Sequence, residues 1–181
     1  MIWQWVTRGY SLKYFEIDQA EIGIGKSKFS FRPNLTDRQV AYAIWVELST
    51  RKIGLPIDLK HDVITEVYDS WYNFFSVTRN LIKSVPVAQI KRKGTQAIIR
   101  LSIEVLNEGL RPHLTEWQAR FRAWYERELK RYEEAKGKEV LDPQQIQEQF
   151  PKFDELQIDL QRVNKALIRY RAKMRELVMK E

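Results

Sequence analysis

Only two imidazoles are available to this chain, His61 and His113, and it has no cysteine at all. A histidine does acid–base work, or ligates zinc, only when a second group is held at a fixed spacing from it. Neither a His-x-x-x-His nor a Glu-x-x-His pair occurs, so no helix presents the paired ligands of a metal or di-metal centre. His61 is expected on an early, partly exposed turn. His113 is expected at a helix kink, where its ring could satisfy a freed carbonyl. Without cysteine, thiolate zinc sites, disulfides and cysteine nucleophiles are excluded. The acids Glu104, Glu108 and Glu116, and Asp62, Glu66 and Asp69, have no histidine to work with and read as solvated faces. Gly23-Ile24-Gly25-Lys26-Ser27 ends like a phosphate loop, but Ala20 stands where a Walker motif needs its first glycine, and a strand pattern follows. It reads as a hairpin turn. No catalytic residue, metal ligand or cofactor is assigned.

The cations carry more. The net charge is +7, and Lys91, Arg92 and Lys93 stand together just before a predicted helix start at Gly94 or Thr95. Three cations beside a helix N-terminus suit an anion. Charge is also polarised along the C-terminal region. Residues 139–160 hold six acids and one base, whereas residues 161–180 hold seven bases and one acid. Arg162, Lys165, Arg169 and Lys173 recur at steps of three and four, which lines them along one helical face. Such a stripe could track phosphates. The same polarity also complements a helix dipole, and two such helices laid antiparallel would set acid against base.

These residues need helices to place them. With 44% apolar residues, few glycines and few prolines, the chain reads as ordered and mainly α-helical. Around Gly25-Lys26-Ser27, Ile22 and Ile24 alternate on one side and Phe29 and Phe31 on the other, which predicts an N-terminal β-hairpin. A capping box at Thr36–Gln39, with Leu35 and Val40 as its staple, predicts a first helix running to about Lys52. A second is expected from Asp58 to about Ser84, on the stripe of Ile64, Val67, Trp71, Phe74 and Leu81. The third carries Ile99, Ile103, Leu106 and Leu110, is interrupted near Gly109 and Pro112, and restarts at Thr115.

The last helix has the strongest pattern. Asp142-Pro143 starts it, Pro151 is expected to kink it, and a heptad seam follows: Phe153, Leu156, Leu160, Val163, Leu167, Tyr170, Met174 and Leu177. Unbroken from Pro143 to Met179, it would run about 55 Å and outreach a globule of this size.

The expected fold is an elongated up-and-down four-helix bundle with a small N-terminal β-hairpin. Residues 1–34 would form the hairpin segment and residues 35–181 the bundle, in one domain overall. The seam, the charge polarity and the helix length favour a non-enzymatic accessory or assembly protein. It would use its last helix to form a homo-oligomer or to dock on another protein. The alternative is a nucleic-acid-binding protein using Lys91, Arg92 and Lys93 with the stripe from Arg162 to Lys173. No stretch is long and apolar enough to span a bilayer, and a cytoplasmic location is expected.

Overall fold

In the computed structural model, which describes residues 33–135 and 141–179, every regular element is helical. The expected hairpin lies outside the described residues. Helix α1 covers Leu35–Thr50. Its cap is Asn34, two residues before the expected Thr36. The Asn34 side chain accepts from the Asp37 N–H at 2.8 Å, and Asp37 accepts from the Asn34 N–H at 3.0 Å. A carboxylate at the third position closes this box as well as a glutamine would, so the helix begins earlier. Leu35 points outward rather than stapling the entry.

Helix α2, Ile64–Lys83, starts six residues later than expected. Asp58 folds its carboxylate onto the Lys60 N–H, and Asp62 accepts from the Asp58 N–H, so residues 58–62 make a turn of their own. No local side chain caps α2. The Ile64 N–H instead donates to Gln147 Oε1 at 2.9 Å, across 83 residues. No sequence window contains that cap.

Helix α3, Lys93–Glu104, does not break at the proline. A π-helical turn, Val105–Leu110, leads into the short α4, Arg111–His113, and a second π turn, Leu114–Gln118, leads into α5, Ala119–Glu134. Pro112 has no N–H, and its ring would strike the carbonyl one turn back. Widening the turns on either side lets the helix pass it without ending. The expected restart at Thr115 is therefore absent.

Pro151 does more than kink the C-terminal region. The structure divides it into α6, Pro143–Gln147, and α7, Phe153–Met179. Asp142 and Gln145 form the N-terminal capping box of α6. At 27 residues α7 is about 40 Å long, so the 55 Å rod is not formed. It runs antiparallel to α1. Arg38 near the start of α1 donates to the Val178 carbonyl at 2.8 Å, and Asn164 meets the loop beyond the end of α1. Val40, Ala41, Ile44 and Leu48 from α1, Trp71 and Phe74 from α2, and Leu101 from α3 share one core with α7.

Candidate functional site

Of the seam, Leu156, Leu160, Val163, Leu167, Tyr170, Met174 and Leu177 are buried inside the chain, and Phe153 is half-buried against the same core. The apolar mate of the seam is the chain itself. Tyr170 also places its hydroxyl 3.2 Å from Ser102 Oγ on α3, and burial raises its pKa.

Between α2, α4 and α7 the structure assembles a polar relay that no local pattern announced. His113 is 1% exposed. Its Nδ1 lies 2.7 Å from Asp159 Oδ2, and its Nε2 lies 3.2 Å from the Tyr68 hydroxyl. Trp117 Nε1 donates to the same Asp159 oxygen at 3.2 Å, and two N–H groups of Arg162 converge on Oδ1 at 3.0 and 2.6 Å. Burial lowers the pKa of His113 against the pull of Asp159, which favours the neutral ring. A carboxylate only accepts, so Nδ1 carries the proton and Nε2 accepts from Tyr68 O–H. Burial would raise the pKa of Asp159, but the hydrogen bonds from His113 and Arg162 hold it below the usual value.

Expected to satisfy a freed carbonyl, His113 instead bridges two distant helices. Tyr68 is 0% exposed and its pKa is raised by burial, so neither relay group meets solvent. The relay can clamp three helices. Only its Asp159–Arg162 end reaches the surface, while Tyr68 and His113 stay inside. His61 sits on an exposed turn and pairs with Asp58 at 2.7 Å, which lowers the pKa of that carboxyl. Among the described residues no group of three histidines and carboxylates is placed to hold a metal.

The expected basic stripe on α7 is divided by its partners. Arg162 is committed to Asp159, and Lys173 lies 3.5 Å from Glu176. Lys165 and Arg169 are exposed, with no ion-pair partner among the described residues.

The basic loop is joined by residues far from it in sequence. Asn34 Nδ2 donates to Gln89 Oε1 at 3.2 Å, and Thr95 Oγ1 donates to Asp37 Oδ1 at 2.6 Å. These bonds hold Lys91, Arg92 and Lys93 against the start of α1. Arg38 in turn holds the end of α7, which carries the exposed Arg175. Lys83 ends α2 just before the same loop. The acids of this end are engaged: Asp37 is buried with Thr95 and Asn34, and Glu176 lies beside Lys173. Among the described residues, Lys83, Lys91, Arg92, Lys93 and Arg175 have no carboxylate partner. Sequence reasoning missed that the end of α7 with Arg175 shares this end of the bundle, because 140 residues separate Arg38 from Val178.

No protein-family description matches the chain, and no curated protein or solved structure is significantly similar to it.

Proposed function

We propose that this is a non-enzymatic helical docking protein whose basic end takes a phosphate-bearing polyanion, on a largely up-and-down bundle. The presence at one end of the bundle of Lys83, the 91–93 segment and Arg175, all exposed and with the local acids engaged elsewhere, is the observation that carries this reading. Unpaired cations held close together are costly unless an anion or solvent ions neutralise them, and releasing such ions drives binding to phosphate. A nucleic-acid backbone is one such ligand, and a 20-base-pair DNA duplex serves as the probe. Its affinity should fall with rising salt, with a log–log slope of about −3 or steeper if the duplex contacts the three loop cations and their neighbours. Replacing Lys91, Arg92 and Lys93 with Gln should abolish that binding. Binding indifferent to the replacement, or no salt-sensitive binding to any phosphate-bearing polyanion, would overturn the reading.

A second reading, docking on another copy or a protein partner through α7, keeps one supporting observation. The outer face of α7 leaves Ile158 67% exposed, although the inner seam is filled by the chain's own core. Self-association through this face would be weakened by Ile158→Asp in light scattering and left unchanged by salt.

A further inference from the structure

The basic end is not only charged. Leu35 is 83% exposed, Val87 81% and Ile90 39%, and all three lie where the start of α1 meets the turn after α2. The bond from Asn34 Nδ2 to Gln89 Oε1 holds the two segments side by side, with Leu35 directly following Asn34 and with Val87 and Ile90 flanking Gln89. Scattered apolar residues on a surface are ordinary, but three branched aliphatics on adjoining turns are a patch. Lys91, Arg92 and Lys93 follow Ile90 directly, and Lys83 precedes the turn. A nucleic-acid backbone has use for the cations and none for the aliphatic tips. An anionic bilayer has use for both, because headgroup phosphates attract the cations while the acyl boundary accepts the apolar side chains.

We infer that this end docks peripherally on an anionic membrane surface, inserting Leu35, Val87 and Ile90 among the lipids with Lys83, Lys91, Arg92 and Lys93 around them. The inference rests on the docking reading above and names its partner. Charge complementarity selects a bilayer that bears net negative charge. The insertion is shallow, since three side chains anchor far less than a spanning helix. Nothing else in the described part of the chain substitutes for a membrane span, because no helix there is long and apolar enough to cross.

The test is co-sedimentation of the full chain with two kinds of vesicle: pure phosphatidylcholine, and phosphatidylcholine with 30% phosphatidylserine. The protein should pellet with the anionic vesicles and stay in solution with the neutral ones. Replacing Leu35, Val87 and Ile90 together with Ser should cut vesicle partition about tenfold or more through lost apolar burial. The same replacement should leave the 20-base-pair duplex affinity within about twofold. Replacing Lys91, Arg92 and Lys93 with Gln should lower vesicle partition about a hundredfold, at roughly a factor of five per cation near a charged surface. The chain has no cysteine, so Val87→Cys creates a unique labelling site. An environment-sensitive fluorophore placed there should shift to the blue with anionic vesicles only. Duplex binding without vesicle binding would overturn the membrane inference and leave the docking reading standing, with nucleic acid as the ligand. Binding to neither would overturn both. Vesicle binding that ignores the Ser replacement, or a label that never leaves water, would also sink the insertion.

Discussion

Two connections in this protein do the same topological work and are built in opposite ways. Residues 51–63 join α1 to α2 at one end, and residues 84–92 join α2 to α3 at the other. The first is sewn to the C-terminal helices. Asn164 Nδ2 donates to the carbonyls of Lys52, Ile53 and Leu55, and its Oδ1 accepts from the Ile57 N–H. Gln147 donates to the carbonyls of Leu59 and Asp62 while capping α2. Gly54 lies so close to the Leu48 carbonyl that a Cβ there would overlap it. The second connection bonds mostly to itself and to the start of α1, and it leaves Val87, Ile90, Lys91 and Arg92 outward, with Lys93 opening α3 beside them. Backbone groups that are buried must be paired, so a loop closed over by helices recruits buried amides. A loop open to water has no such demand, and its surface is left for a ligand. The contrast separates what holds the fold from what is available to bind.

The largest effect should come from breaking the sewn loop. Asn164→Leu keeps the branching of the side chain but removes two donor hydrogens shared among three carbonyls and one acceptor, and should lower unfolding stability by about 3 kcal/mol, at about 1 kcal/mol per bond. Urea unfolding followed by circular dichroism measures it. A loss below about 1 kcal/mol would mean that the loop does not depend on that amide.

The relay should produce a smaller, pH-dependent effect. His113 has a folded pKa below its ordinary 6.5, so beneath pH 6.5 the unfolded chain takes up the proton more readily. Stability should therefore be steady above about pH 7 and fall as the pH drops through 6.5 toward the folded value, by at most about 1.4 kcal/mol per pH unit. Asp159 adds a further loss below its ordinary 3.8, because its folded pKa is also lowered. In His113→Gln the slope around pH 6 should flatten, which urea midpoints at several pH values would reveal. A slope unchanged by that replacement would assign the pH dependence elsewhere.

The smallest effect on stability belongs to the open loop. Replacing Lys91, Arg92 and Lys93 with Gln should move unfolding stability by no more than about 0.5 kcal/mol, since surface changes away from buried networks rarely do more. The same variant loses polyanion binding. A large destabilisation there would erase the distinction between the two connections.

The helical class was legible because periodicity is a local property. Ile64, Val67, Trp71 and Phe74 show their shared face within a single window of eleven residues, and all four are buried. Boundaries were less legible where the deciding partner was remote, as with Gln147 capping α2. Of the candidate basic residues, Lys91, Arg92 and Lys93 are exposed, while Arg162 and Lys173 each face a carboxylate three residues away. That neighbour is visible in the sequence. Whether the pair forms depends on rotamers set by packing. Asp159 illustrates this: it accepts from Arg162 three residues along and from His113, 46 residues away, and only the first spacing could be read.

By itself the sequence determined that the described part of the chain is mainly helical, that it has no thiol, and which stripes of α2 and α7 turn inward. These follow from composition and from steps of three and four along one strand of text. On α3 the expected stripe was off, since Ile103 is exposed and Ala97, Ile98 and Leu101 face the core instead. The tertiary structure alone decided that the seam of α7 meets α1, that His113 joins Tyr68 to Asp159, and that the basic segment lies beside the start of α1. Such pairings depend on which helices cross and in what register. That is a competition among many long-range contacts of similar energy, and no window of residues encodes its outcome.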